Sequence, residues 1–105
     1  MAEVLSIEEL RSRIDVLDEQ LVRLLNVRVA CAVEVGRLKH EAGMAIYQPE
    51  REAQVLTRVR ASATELAGPL EAEAVVRIFE RVIDEARRAE RMAASRRGVP
   101  ETPEA

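Results

Sequence analysis

The sequence predicts an all-α chain of three helices, the first much longer than the other two. Three observations carry this. The apolar 48% is almost wholly Leu, Val, Ile and Ala, with one Phe, one Tyr and no Trp. A further 33% is charged, while Gly and Pro number only four each, a composition that suits long helices better than a sheet. Apolar residues recur every three or four positions from Ile7 to Leu38, and there is neither an internal repeat nor a βαβ alternation.

The first helix opens at Ser6-Ile7-Glu8-Glu9, a capping-box pattern in which Ser6 caps and Glu9 reaches back to the free amide. Its seam runs Ile7, Leu10, Ile14, Leu17, Leu21, Leu24, Arg28, Cys31, Val35, Leu38, and Leu25 and Ala32 widen it. The helix should stop near Glu41-Ala42-Gly43, where Gly43 suits a left-handed C-terminal position. Such a helix is a rod of roughly 50 Å. A compact domain of this size has a radius of gyration of only about 13 Å. The rod therefore overhangs a monomer and exposes its stripe, so a two-fold dimer is expected.

Met44-Ala45-Ile46-Tyr47-Gln48 connects to a second helix opened by Pro49, with Glu50 and Glu52 at its positive end. Ala53, Val55, Leu56, Val59 and Ala63 form its expected inner side, which fades near Thr64 to Ala67. Gly68-Pro69 breaks the chain and starts a third helix, whose face runs Leu70, Ala74, Val75, Ile78, Phe79, Val82, Ile83, Ala86, then Glu90 and Ala93. The helical domain is expected over residues 1–94 and a disordered tail over residues 95–105.

Charge and cysteine content narrow the function classes. A net charge of −3 argues against a nucleic-acid binder. One cysteine excludes an internal disulfide framework and a cysteine-cluster metal site. Met1-Ala2-Glu3-Val4-Leu5-Ser6 has no basic leader region, and no stretch is apolar enough for a membrane span. The expectation is a soluble cytoplasmic protein with no nucleic-acid or membrane partner.

Arg28 is the anomaly of the pattern, a guanidinium on an otherwise aliphatic seam, where burial is costly unless the charge is paired. Either it snorkels or sets dimer register through an ion pair, or it meets a ligand. Lys39 follows 11 residues later, on the same face and about 16 Å along the axis. Arg11 points roughly 100° away from Arg28, so it would serve the same pocket only from another chain. Taken alone, Lys39 and Arg11 read as solvated surface charges. Glu90 is an acid on the apolar line of the third helix. If it is packed there, desolvation raises its pKa and makes it a candidate proton donor. His40 has no second histidine for a metal, Cys31 reads as a small core residue, and Tyr47 as a residue packing the loop.

With these positions in hand, the chain resembles the all-helical chorismate mutases. The likeness is carried by Leu10-Arg11, Ile14-Asp15, Leu17-Asp18, Arg28, Val35-Gly36-Arg37-Leu38-Lys39, Ile46-Tyr47-Gln48-Pro49-Glu50-Arg51-Glu52 and Ile78-Phe79. It spans roughly residues 6 to 93. The resemblance implies an intertwined helical homodimer that rearranges chorismate to prephenate in phenylalanine and tyrosine biosynthesis, without metal or cofactor. It assigns the substrate carboxylates to Arg28 and to Arg11 from the partner subunit, with Arg51 as a further cation, and the ring hydroxyl to Glu52. Lys39 and Glu90 fall to the ether oxygen. Gln48 stands where many relatives have Asp near the ring hydroxyl and is assigned to the substrate on that ground, and Ala86 stands where a Ser often assists a carboxylate. Other readings are an isochorismate–pyruvate lyase on the same scaffold and a non-catalytic dimerisation or regulatory module. Association with a separate 3-deoxy-heptulosonate-phosphate synthase is left open.

Overall fold

A computed structural model describes residues 4–45 and 47–98. The chain forms α1 (Ile7–Glu41), α2 (Pro49–Leu66) and α3 (Ala72–Arg96), with no strand among the described residues. The fold is all-α, as the composition and periodicity predict.

The helix ends follow local chemistry. Glu9 N–H donates to Ser6 Oγ at 3.1 Å, and Ser6 N–H donates to the Glu9 carboxylate at 3.4 Å. Both halves of the expected capping box are therefore present. Beyond α1, Gly43 adopts φ +70°, a conformation that costs other residues about 1–2 kcal/mol. Pro49 occupies the first turn of α2 with Glu50 and Glu52 beside it. At the other end of α2 the left-handed residue is Ala67, at φ +51°, not Gly68. Pro69 disfavours the helical region for the residue before it, so the reversal falls one position earlier.

α3 departs from expectation at both ends. It starts at Ala72 with Glu71 as N-cap, so Leu70 lies outside it, half exposed. The Gly68-Pro69 break is followed by two further non-helical residues rather than by a helical turn. At the far end α3 reaches Arg96, two residues past Ala94, so Ser95 and Arg96 of the expected tail are helical. Residues 99–105 of that tail lie outside the described residues.

α3 is the central element: it packs on both α1 and α2, which do not approach each other. Arg28 of α1 lies over Phe79, and Gly36 of α1 lies against Glu90. Contacts thus advance together along α1 and α3, which run in the same direction. Arg60 pairs with Glu73 and Glu52 with Arg87, so α2 runs antiparallel to α3. The buried residues are few: Gly36, Val55, Val76 and Ala86. Val76 shares the stripe of Ile83, Ala86 and Glu90 at helical spacing, whereas Ile78 is half exposed. Ala53, expected inside, is exposed, while Leu56, Val59 and Ala63 are partly buried.

α1 overhangs. Every residue from Ile7 to Val27 is exposed, and the radius of gyration is 17.9 Å, with a longest dimension of 59 Å. The stripe Leu10, Ile14, Leu17, Leu21 and Leu24 remains uncovered within one chain. No helix among the described residues is long and apolar enough to cross a membrane.

Candidate active site

α1 and α2 diverge over α3 and leave an open cleft of about 320 Å³. From α1 it receives Arg28, Cys31, Ala32, Val35 and Lys39, from the connection Gln48, from α2 Arg51, Glu52, Val55 and Arg58, and from α3 Ile83, Ala86, Arg87 and Glu90. Six of the seven sequence candidates therefore come together: Arg28, Lys39, Gln48, Arg51, Glu52 and Glu90. Arg11 does not. It is exposed on the overhanging part of α1, about 26 Å along the axis from Arg28.

Arg28 is partly buried, with its guanidinium carbon 5.9 Å from the Phe79 ring centroid. That distance suits a cation–π contact, which holds the group without neutralising it. Among the described residues no carboxylate pairs with it. An ion pair with another described residue is thus not what retains Arg28 on the seam.

Glu90 approaches α1 where there is no side chain to obstruct it. A Cβ on Gly36 would stand 3.3 Å from Glu90 Oε2, tighter than an ordinary contact. Glycine inside a helix costs about 1 kcal/mol relative to alanine, and this close approach accounts for it at Gly36. Burial pushes the Glu90 carboxyl above its ordinary range, against the opposing charges of Lys39 and Arg87. Glu52 adds to the rise and Arg91 opposes it. The expectation from the residue pattern, a desolvated acid with a raised pKa, is met.

Glu52 is held from α3. Arg87 Nη2 donates to Glu52 Oε2 at 2.6 Å, and the Arg87 guanidinium carbon lies 5.4 Å from the Tyr47 ring centroid. Ala86 is buried in the wall and offers no hydroxyl. Cys31, expected in a core, is exposed on the cleft wall, because none of the described residues covers the α1 seam there. His40 is exposed.

Two cleft cations were not singled out in the sequence, Arg58 and Arg87. Both left a signal in the spacing. Arg58 follows Arg51 by seven residues, two turns along the same face. Arg87 follows Ile83 by four and belongs to the edge of the inner stripe. Neither spacing reveals the partner: Glu52 and Arg87 are 35 residues apart.

The lining holds five cationic side chains, Arg28, Lys39, Arg51, Arg58 and Arg87, against two acids, Glu52 and Glu90. In a chain of net charge −3 this is a concentrated positive site. Guanidinium groups bind carboxylates through paired hydrogen bonds, and low-dielectric walls of Val35, Val55 and Ile83 strengthen the field. Among the described residues no group of His, Cys, Asp and Glu could hold a metal ion.

Fold and cleft together define a small all-helical protein with a cleft rich in cationic side chains. The chain belongs to the chorismate mutase type II family, which it matches over residues 10–91. It is 36% identical over 78 residues to the bifunctional chorismate mutase/prephenate dehydratase of Aquifex aeolicus, a match covering 73% of this chain and 22% of that protein. It is 38% identical over 88 residues to the protein of the same description from Pseudomonas aeruginosa, covering 79% and 23%. The chorismate mutase of Methanocaldococcus jannaschii is 35% identical over 52 residues, half of this chain and 52% of that one. The chain thus spans under a quarter of the length of the bifunctional relatives.

Proposed function

We propose that this chain is a chorismate mutase, converting chorismate to prephenate in the biosynthesis of phenylalanine and tyrosine. The observation that carries the reading is the convergence of Arg28, Lys39, Arg51, Glu52 and Glu90 on one cleft, in a chain of this family. The reaction is a Claisen rearrangement: the ether C–O bond breaks as a C–C bond forms, and no group leaves. The protein's task is then to hold the compact conformer and to stabilise the charge that grows on the ether oxygen. Arg28, with Arg51 nearby, takes the carboxylates of the dianion. Gln48 and Glu52 face the ring hydroxyl. Lys39 and protonated Glu90 donate to the ether oxygen.

The reading includes a second copy of the chain. Residues Ile7 to Val27 carry a stripe that no described residue of the same chain covers, and a dimer laid along it would bring the partner subunit's Arg11 to the cleft. The native mass is expected to be twice the 11.7 kDa of one chain. Leu17→Glu with Leu21→Glu should yield a monomer that has lost activity. A fully active monomer would remove Arg11 from the site. The same mass measurement, with a 3-deoxy-heptulosonate-phosphate synthase added, tests that association. A cytoplasmic location is part of the same reading.

The direct test is incubation with chorismate and with isochorismate in parallel. Prephenate from chorismate is the expected result. Release of pyruvate from isochorismate alone would assign the lyase reaction, and no turnover of either would favour a non-catalytic module.

Glu90 gives this reading a pH signature. A carboxyl donates a hydrogen bond only while protonated, so kcat/KM should fall as pH rises through the raised Glu90 pKa. Glu90→Gln keeps a donor at every pH, and its profile should stay flat over that range. A variant profile identical to that of the wild type would exclude Glu90 as the donor.

A further inference from the structure

Glu52 is one of two acids among five cleft cations, yet its oxygen is held by the cleft cation most distant from it in sequence, Arg87. Arg87 reaches from α3 to both flanks of the turn that opens α2. Its Nη2 donates to Glu52 Oε2 at 2.6 Å, and its guanidinium carbon sits 5.4 Å from the Tyr47 ring centroid. Asp84, one turn earlier on α3, lies 3.8 Å away and is too far for a hydrogen bond. The Arg87 Nε is buried with no hydrogen-bond partner among the described residues. The guanidinium is therefore placed by Glu52 and Tyr47, and its own hydrogen-bonding capacity is left incomplete.

We propose that Arg87 is a positioning residue: by clamping Glu52 Oε2 it holds the carboxylate in one orientation, leaving Oε1 to accept the substrate's hydroxyl. This rests on the role given to Glu52 above. Glu52 sits in the first turn of α2, and without a clamp its side chain would be drawn toward whichever neighbouring guanidinium is nearest, Arg51 included. Arg87 occupies one oxygen from beneath, from a helix that packs on both others. A planar group wedged against an aromatic ring loses little freedom on making that bond. The same contact ties the α1–α2 connection, through Tyr47, to the central helix α3.

The test is a mutant cycle read as kcat/KM for chorismate. Arg87→Met keeps most of the stem's volume under Tyr47 and removes the charge. It is expected to lower kcat/KM roughly tenfold to a hundredfold in the natural sequence, and by less than about threefold when Glu52→Gln is already present, because two residues acting through one contact are not additive. Arg87→Lys, which restores a donor without the planar fork, should recover part of the loss. Equal losses in both backgrounds, or no recovery with lysine, would overturn the clamp. Full activity in Glu52→Gln alone would instead show that the role of Glu52 is wrong, and the clamp would fall with it. Thermal melting of each variant by circular dichroism identifies any unfolded protein. Should Arg87→Met fail to fold, the Arg87→Lys value in the two backgrounds decides by the same criterion of non-additivity.

Discussion

Replacing Arg28 with alanine is expected to lower kcat/KM for chorismate by roughly a hundredfold to a thousandfold, the scale of losing one partner of a desolvated, hydrogen-bonded charge pair. The physical case rests on how Arg28 is held. Its guanidinium rests over Phe79 and has no carboxylate partner among the described residues. A substrate carboxylate thus displaces no existing ion pair. The loss should fall mainly on KM, because a carboxylate carries the same charge before and during the rearrangement. Arg28→Lys should land between, having the charge without the paired donors. Arg28→Ala orphans no carboxylate among the described residues, so the thermal midpoint should fall only by the share of the Phe79 contact, on the order of a few degrees. A loss under about tenfold, read against intact folding, would return Arg28 to the role of a snorkelling seam residue.

Lys39→Ala should instead act on kcat, lowering it by about a hundredfold to a thousandfold, the usual effect of deleting one donor to a developing negative charge. Lys39 lines the cleft one turn beyond Val35, and its charge acts on Glu90. Both side chains line the same cleft. The ether oxygen gains charge only as its C–O bond breaks, so the interaction strengthens in the transition state and KM should change little. A second consequence follows from the electrostatics. Lys39 favours the ionised form of Glu90, so its removal should carry the alkaline fall in activity to higher pH. Steady-state kinetics across pH on Lys39→Ala checks both. A variant with raised KM and unchanged kcat would place Lys39 on a carboxylate instead.

Much of the architecture was legible because it depends on neighbours in sequence. Ser6 and Glu9 cap α1 within one turn, Gly43 ends it, and Pro49 opens α2. The start of α3 was harder to read. Pro69 suggested a first helical turn, but the chain needs two more residues to redirect itself before Ala72. The spacing of α3 predicts a single inner stripe, and the structure differs from it at Leu70, Ile78 and Val76. A helix packed on two sides buries a broader and differently centred arc than one packed on a single side.

The site divides along the same line. By itself the sequence determined the all-α class, a first helix too long for one compact chain, and the oddity of Arg28 on an apolar seam. Each is a matter of period or local capping, set by residues a few positions apart. Only the likeness to a family joined Lys39, Arg51 and Glu52 to Arg28. The tertiary structure then decided that these side chains, with Glu90, share one cleft. It also decided that Gly36 admits Glu90 and that Arg87 grips Glu52. Those contacts join residues 54 and 35 positions apart. No periodicity specifies which turn of one helix meets which turn of another; that is set by how α3 packs between α1 and α2.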